Sequence, residues 1–327
     1  MKPGFTITAG NEDITAKLRD RMISLRVIDV AGWRSDEASF VLDMRDGKLA
    51  VPPLGASLEV KLGYPDKGLW LTGSYIVDSL DVSGPPAKME IIARATNFLG
   101  KMKAPTSETW HQMTIGQIVQ QIAIKTSLTA TVAEELAGVL IPHIDQTAES
   151  YMHFLTRLSR DYGAIFKVAN DRLLFLKAGV AQSAAGLPLP AVSIGKTDII
   201  NWRYGATGRN RYHGVKARWR DIDANMAMTY VAGEDGPNKV VKELTFGYPT
   251  AEAAKAAADA AFEKLQRREE KLELTIVGNP AARAMFPVTV DGLGKPLDSA
   301  DWLIQRAEHD YSSRGLISRL TLEKKNK

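Results

Sequence analysis

The chain has 327 residues, of which 45% are hydrophobic and 24% charged, and this length predicts about two or three folded domains. It contains no cysteine, which excludes a disulfide framework, thiolate metal sites and cysteine nucleophiles. No stretch approaches the roughly 18 consecutive apolar residues of a membrane span, and the N-terminal sequence lacks the apolar core of a signal peptide. We therefore expect no stable membrane insertion.

The net charge is +4, but the 42 basic residues are scattered among 38 acidic ones. The main basic segment, Arg209–Arg220, alternates its charged side chains with Tyr212, Val215, Ala217 and Trp219. Such alternation is typical of a strand with one solvated face, and we favour that interpretation over contact with a polyanion. The sequence therefore predicts no specific nucleic-acid binding.

Short strands separated by turn signals fill residues 1–98. Breaker pairs such as Asp46-Gly47 and Pro52-Pro53 lie between them. The predicted strands are Phe5–Ala9, Ile23–Asp29, Ser39–Asp43, Ser57–Gly63, Leu69–Val82 and Lys88–Thr96. Many short strands at regular spacing favour an antiparallel barrel or sandwich. We expect residues 1–98 to form a β domain.

The pattern changes after Phe98, and residues 99–182 are predicted to form a small α+β domain. Lys101–Gln112 is interpreted as an extended connector, and a capping box at Thr114–Gln117 predicts a helix after it. The segment Gln182–Pro190 is rich in alanine, serine, glycine and proline, which indicates a domain boundary. This domain is expected to contain two helices and a hairpin.

The stretch Gln146–Lys177 predicts the second of these helices and the hairpin. Apolar side chains recur there at helical spacing, at Tyr151, Phe154, Leu155, Leu158 and Tyr162. Thr147 is predicted to cap the helix, Glu149 to lie in its first turn, and Gly163 to follow its end. The predicted hairpin strands are Ala164–Val168 and Arg172–Lys177, joined across Asn170-Asp171.

Strand signals return in residues 183–327, which we expect to form a second β domain. The predicted strands are Asp198–Tyr204, Tyr212–Arg220, Met226–Val231, Lys239–Phe246, Leu272–Val277, Val288–Val290, Trp302–Asp310 and Leu316–Leu322. A helix from Thr250 to about Arg268 interrupts them. Tyr75–Asp81 and Trp302–Glu308 share one order of residue types: aromatic, aliphatic, aliphatic, polar, polar, apolar, acidic. This weak repeat predicts that the first and last domains are related copies.

The histidines give no sign of a metal site. They lie at His111, His143, His153, His213 and His309, and no pair has the spacing that places two imidazoles on one helical face. His143 and Asp145 have no third ligand nearby in sequence. His309 and Asp310 close a predicted strand with side chains on opposite faces, which favours a structural role.

Other catalytic and binding motifs are incomplete. Gly195-Lys196-Thr197 lacks the upstream glycine of a phosphate-binding loop, and Gly292-Leu293-Gly294 lacks the third glycine of a dinucleotide fingerprint. The adjacent pairs Glu134-Glu135 and Glu269-Glu270 face apart on regular elements. We predict no catalytic, cofactor-binding or metal-binding residue, no cofactor and no enzymatic activity.

Taken together, the segments resemble the phage late control protein D family, the baseplate hubs of contractile tails, which are similar to the N-terminal hub part of VgrG proteins in type VI secretion. The residues that carry the resemblance are Leu54–Gly63 with Leu71–Gly73, Met113–Ile122, Glu149–Leu158 with Tyr162-Gly163 and the hairpin at Asp171, and Trp302–His309 with Gly315–Glu323. The four motifs span nearly the whole chain in the family's order.

The resemblance implies an α+β, mainly β fold in which two related β-barrel, tube-type domains are separated by a small α+β domain. It implies a homotrimer that acts as a symmetry adaptor between a six-fold tail tube and a three-fold spike. The expected partners are a trimeric spike protein, the tail tube or a tube-initiator protein, and other baseplate proteins. The expected location is the tail baseplate of the virion, with assembly in the bacterial host cytoplasm.

Exposed strand edges are expected to pair across subunits, and Lys101–Gln112 and the turn Tyr64–Gly68 are candidate contact loops. Two alternatives remain at this point. A cell-wall hydrolase or cell-wall-binding module of a tail tip would need a pair of carboxylates with separated pKa values. A DNA-binding regulator would need phosphate contacts.

Overall fold

The computed structural model describes residues 2–32, 35–95, 101–169, 171–183, 186–207, 212–221 and 224–325. The first segment contains β1 (Gly4–Ala9), β2 (Glu12–Asp13), α1 (Thr15–Leu18), β3 (Met22–Val30), β4 (Glu37–Asp43), β5 (Ser57–Tyr64), β6 (Gly68–Ser83) and β7 (Lys88–Arg94). The central segment contains β8 (Pro105–Thr114), α2 (Ile115–Lys125), β9 (Thr129–Val132), α3 (Glu134–Ala137), β10 (Leu140–Ser150), α4 (Tyr151–Asp161), β11 (Ala164–Ala169) and β12 (Arg172–Lys177).

The last segment returns to strands around one long helix. It contains β13 (Val192–Gly195), β14 (Ile199–Ala206), β15 (Gly214–Asp221), β16 (Met226–Gly233), β17 (Val241–Tyr248), α5 (Ala251–Arg268), β18 (Glu270–Val277), β19 (Pro287–Asp291), β20 (Trp302–Ser312) and β21 (Gly315–Lys324). The strands predicted in the first and last segments are present, and within the described residues their ends lie within two residues of the predicted ones. The fold is mainly β with few helices, as predicted.

One large sheet joins the first and last segments. Its strand order is β14-β18-β21-β20-β3-β4-β7-β6-β5-β1-β2, with β19 attached to β20 and β13 attached to β19. Across the described residues this sheet has ends at β14, at β2 and, on the branch, at β13, and it does not close on itself. The predicted arrangement of two barrels stays a prediction.

The same strand order occurs twice in this sheet. The order β3-β4-β7-β6-β5-β1 in the first segment matches the order β14-β18-β21-β20-β19-β13 in the last. The repeat Tyr75–Asp81 lies in β6 and its counterpart Trp302–Glu308 in β20, and both strands carry a bulge at the same repeat position, Asp78 and Gln305. One difference is that β1 runs antiparallel to β5, whereas β13 runs parallel to β19.

A second pair of bulges matches in the same way. The register between β3 and β4 shifts at Ile23, and the register between β14 and β18 shifts at Ile200. Tyr75 and Trp302 occupy the same position of the repeat. The strand pairings that lead from Tyr75 to β3 and from Trp302 to β14 make Leu25 equivalent to Trp202. Because a bulge fixes the register on both sides of it, this correspondence holds residue by residue.

The two arrangements meet where β3 pairs with β20. Residues 24–30 of β3 run antiparallel to residues 306–312 of β20. Leu25 and Val27 are buried beneath this joint, and the Arg26 guanidinium contacts the Asp310 carboxylate at 2.6 Å on its outer face. Because apolar and polar residues alternate along this part of β3, Leu25 and Val27 lie in the core and Arg26 faces solvent.

The central segment forms its own apolar core around α2 and α4. The Thr114 hydroxyl accepts a hydrogen bond from the Gln117 N–H, and the Gln117 side chain accepts one from the Thr114 N–H, as the predicted capping box requires. Gly163 adopts φ +60° just past α4, as predicted. The lower boundary of this segment, at residues 98 and 99, and Asn170 of the hairpin turn lie outside the described residues.

Two details of this segment were predicted wrongly. Ser150 and not Thr147 caps α4, because β10 extends through Thr147 and Glu149 before the helix begins. The segment Lys101–Gln112 is not a plain connector, since Pro105–Thr114 forms β8 and pairs with β10. The polar side chains of β8 hid this strand, because a two-stranded ribbon exposes much of its surface.

The basic segment of the sequence lies in a separate three-stranded sheet, β16-β15-β17, that α5 covers. Val215 and Ala217 pack against this helix, while Arg218 and Arg220 are exposed on the other face. The solvated-face interpretation is correct for the described residues of the segment, which exclude Arg209. The helix predicted from Thr250 to about Arg268 is present as α5, and Thr250 caps it.

Candidate assembly surfaces

The strand β14 is an open edge of the large sheet. It pairs with β18, and within the described residues no strand pairs with its other side. Trp202 lies opposite the buried Leu274 and Tyr204 opposite the buried Leu272, so both aromatic rings extend the apolar face of the sheet. Trp202 is nevertheless 46% exposed. The open edge of this eight-residue strand, beside an uncovered aromatic side chain, forms a surface suited to another strand.

A second open side lies on β6. β5 pairs with this strand from Gly68 to Ile76, and the backbone of Val77 still bonds to Gly55 and Ala56. From Asp78 to Ser83, β6 pairs with β7 alone among the described strands. Val82 is half exposed there. In the last segment, the equivalent side of β20 is the one occupied by β3.

The turn Tyr64–Gly68 borders a cavity of about 540 Å³ between the first and last segments. Trp70, 55% exposed, lines it from the start of β6, and Val277 and Pro280 line it from the last segment. The Arg283 guanidinium donates to the Leu71 carbonyl nearby, which ties the two segments together. This position is compatible with the predicted contact role of the turn, which stays a prediction.

A buried ionic cluster attaches the central segment to the sheet. The Lys167 ammonium on β11 lies 2.6 Å from the Asp29 carboxylate at the end of β3 and 2.9 Å from the Asp36 carboxylate. Burial and the charge of Asp29 raise the pKa of Asp36. Burial alone would raise the pKa of Asp29 as well, but the charge of Lys167 holds it below its ordinary value. Lys167 thus compensates the charge of Asp29, whereas it compensates that of Asp36 only in part.

The side chains of His111, His143 and His309 contact other residues of the chain. His143 lies 3.3 Å from the Asp145 carboxylate with both side chains exposed, and its ring meets that of His111 edge-on at 5.8 Å. His309 is buried, with Nδ1 2.8 Å from the Ser318 hydroxyl and Nε2 3.2 Å from the Ala282 carbonyl oxygen. In the described ranges, no group of three His, Cys, Asp or Glu side chains is arranged to hold a metal ion.

Both glycine-containing loops bind a carboxylate of the chain itself. The Asp198 carboxylate accepts a hydrogen bond from the Gly195 N–H at 3.3 Å. The Asp298 carboxylate accepts three, from the N–H groups of Gly292, Leu293 and Gly294. Loss of hydration would raise the pKa of Asp298, but these hydrogen bonds hold it below its ordinary value. Three N–H groups that could cradle a phosphate are thus occupied in the second loop, and one is occupied in the first.

These features describe an assembly protein, with open strand sides and uncovered aromatic side chains at positions set by a duplicated sheet. The sequence profile of the family described as phage tail baseplate hub (GPD) matches residues 98–315. A probable baseplate hub protein of Escherichia phage 186 is 32% identical over 99% of this chain and 94% of its own length. The chain belongs to the phage tail baseplate hub family.

Solved structures extend the likeness of the fold. A tail protein from Neisseria meningitidis MC58 has a TM-score of 0.73 at 14% identity, over 99% of this chain and 97% of its own. A component of the Escherichia coli type VI secretion system, described as structurally similar to the T4 tail proteins gp27 and gp5, has a TM-score of 0.63 at 10% identity, over 94% of this chain and 74% of its own. The resemblance noted in the sequence is confirmed.

Membership in this family assigns the chain to the tail baseplate of the virion as a structural protein and not an enzyme. As a hub it contacts other proteins of the tail. No helix in the described part of the chain has the length and apolar character needed to cross a membrane. The open sides of β14 and β6 were expected only in general terms from the sequence, because an apolar interface strand and an apolar core strand have the same alternation.

Proposed function

We propose that this chain is a trimeric hub in which two related tube-type β-barrel domains per subunit build a pseudo-six-fold ring. The observation that carries the proposal is the joint between β3 and β20 inside one chain. The equivalent partners, β14 and β6, each have an open side. A second copy of the chain offers β6 to β14 in the geometry that β20 offers to β3, so the same contact recurs between subunits.

The internal joint also supplies a register. Glu308 of β20 lies opposite Ile28 of β3, and the equivalent residues are Asp81 of β6 and Gly205 of β14. Arg26 contacts Glu308 at 3.5 Å across the internal joint. Arg203 takes the place of Arg26 in β14, so it would meet Asp81 of the neighbouring subunit. Both Arg203 and Asp81 are exposed in the single chain.

The proposed ring contains two kinds of equivalent contact. Each chain has one joint of this type within its described residues and the equivalent pair of open sides on β14 and β6, so three chains in a closed ring would form three internal and three intersubunit contacts of one type. Such a ring has six near-equivalent units but only three identical subunits. It can therefore match a six-fold tail tube on one face and a three-fold spike protein on the other, with a tube-initiator or other baseplate proteins at its rim.

The test is the solution mass by light scattering, alone and with the cognate spike protein. We expect a mass near three times 35.8 kDa, or a monomer that trimerises when spike is added. Arg203→Asp and Asp81→Arg should each weaken the trimer, and the double variant should restore it, because the swapped charges attract again. The matched control is Arg220→Asp on the separate sheet, which should leave the mass unchanged.

Two results would separate the parts of the proposal. A wild-type chain that stays monomeric with spike present would contradict the trimeric hub. A trimer that both single variants leave intact would preserve the trimer but overturn the pairing of β14 with β6.

A further inference from the structure

A second cavity, of about 470 Å³, lies where all three segments meet. Its walls come from the end of β3, the last turns of α4 and α5, the start of β11, and β20 with β21. Its cationic lining residues are Arg160, Lys264, Arg267, Arg268 and Arg306, against one lining carboxylate, Glu323. This volume is within the range of small-ligand sites and would accept one or two amino-acid side chains.

The positive charges of this cavity are unequally compensated. Arg267 is 7% exposed and lies 3.7 Å from Glu323 and 3.9 Å from Glu263. The other arginines with ion pairs, Arg306 and Arg160, contact Glu308 and Asp161, two carboxylates that do not line the cavity.

Lys264 and Arg268 differ from these three. Both are exposed, and neither forms an ion pair or hydrogen bond with another described residue. Loss of hydration and the charges of Arg268, Arg267 and Arg160 lower the pKa of Lys264, which indicates a positive field at this side chain. The C-terminal ends of α4 and α5 each contribute about half a negative charge, which is too little to neutralise the cations that line the cavity.

The remaining wall of the cavity is partly polar, with Thr156, Ser159 and Gln305, and partly apolar. Phe166, Ala178 and Ala260 line it, and Gly163 allows α4 and α5 to approach closely, since a side chain there would meet the Ala260 methyl group at 3.3 Å. An occupant that matches both the cations and the apolar residues of the wall combines a negative group with a short aliphatic stem, as a glutamate side chain does.

We propose that this cavity is a docking site for an acidic segment of a partner protein, whose carboxylates are held by Lys264 and Arg268. Charge complementarity supports a peptide. Backbone phosphates of nucleic acid are bound along an extended stripe or groove of cations, whereas the two cations without an ion pair here, Lys264 and Arg268, lie one turn apart on α5. The residues of this site are not those of the contact proposed between β14 and β6, so different variants test the two proposals.

The experiment measures fluorescence anisotropy of a labelled hexaglutamate peptide with the full chain at low salt. We expect Lys264→Glu and Arg268→Glu each to weaken binding by about tenfold or more. The matched control is Lys255→Glu, which makes the same charge change on the exposed face of the same helix and should alter binding by less than about twofold. Thermal unfolding of each variant checks that the chain stays folded.

Three results would overturn the proposal. The wild-type chain would fail to bind the peptide, or Lys255→Glu would weaken binding as much as Lys264→Glu, which would indicate attraction by net charge alone. The third is tighter binding of a labelled oligothymidylate that is lost in Lys264→Glu, which would make the cavity a nucleic-acid site.

Discussion

β3 and β14 are equivalent strands in two copies of one arrangement, but their surroundings differ. β3 is covered by β20 on its outer side, and Leu25 beneath the joint is 0% exposed. β14 has no partner on that side among the described strands, and Trp202, the equivalent of Leu25, is 46% exposed. The end of β3 is also held by Lys167, whereas the equivalent end of β14, at Ala206, is exposed.

The difference supports the proposal that one strand position serves folding in one copy and assembly in the other. The covered strand uses aliphatic Leu25 and Val27, which fill a core. The open strand has Trp202 and Tyr204 in their place, and large aromatic side chains dominate protein interfaces because each buries a large area. The residue types thus separate the two roles, although the backbone geometry is shared.

Removal of the Lys167 charge should give the largest effect. Lys167→Met leaves the Asp29 and Asp36 carboxylates buried without their cation, and unfolding in urea should show a loss of about 3–5 kcal/mol. The loss should shrink at lower pH, because protonation of Asp36 removes one of the two charges.

The control is Lys177→Met, which removes a half-buried lysine on the neighbouring strand β12 and should cost less than about 1 kcal/mol. Equal losses for the two variants would mean that the ionic cluster does not hold β3 in place.

Truncation at the equivalent positions tests the comparison directly. Leu25→Ala should destabilise the isolated chain by about 3 kcal/mol, because a fully buried side chain is lost. Trp202→Ala should cost about 1 kcal/mol in the isolated chain and yet abolish the trimer, because half of the ring is already in solvent. Urea unfolding and light scattering measure the two effects. The opposite pattern, with assembly lost only in Leu25→Ala, would contradict the assigned roles.

His309 makes the covered joint sensitive to acid. It lies on β20 opposite Val27 of β3, and burial lowers its pKa to about 4 from an ordinary value of 6.5. As the pH falls, His309 therefore takes up its proton in the unfolded chain before it does so in the folded chain. The stability of the folded chain is unaffected by the protonation of His309 above about pH 6.5 and decreases towards pH 4, by about 3 kcal/mol.

His309→Gln keeps a donor for the Ala282 carbonyl but does not titrate. The stability difference between wild type and variant should therefore narrow by about 3 kcal/mol from pH 7 to pH 4, measured by urea unfolding. Other acid-sensitive groups, including Asp36, are common to both proteins and cancel in the difference. A constant difference across this range would show that His309 keeps its charge state on unfolding.

The sequence predicted the strands of both outer segments, because each alternates over a core face between strong turn signals. The repeat in β6 and β20 was visible in the sequence as a match of seven residue types. The matching bulges at Asp78 and Gln305 could not be predicted, because a bulge does not require particular residue types. The strands β8 and β10 were missed because they have few apolar residues, which is also why much of their surface is exposed.

The surfaces were predicted less well than the fold. Trp202 and Leu274 both occupy apolar positions in strands, and only the neighbours in space show that one is uncovered. The cavity lined by Lys264 and Arg268 combines residues more than 100 positions apart, from Val30 to Glu323, so no sequence window contains it. The sequence pattern records periodicity and turns, whereas sites of this kind depend on long-range pairing.

The smallest effects should come from the two equivalent arginines, and they sharpen the comparison because they separate stability from assembly. Arg26 contacts Asp310 and Glu308 across the internal joint with half of its side chain exposed, so Arg26→Gln should cost less than about 1 kcal/mol in urea unfolding. Arg203→Gln should leave the stability of the isolated chain unchanged and weaken only the trimer, and this weakening should fade as salt screens the contact with Asp81. A stability loss in Arg203→Gln alone would mean that Arg203 already has its partner within one chain, and the register proposed for β14 and β6 would then be wrong.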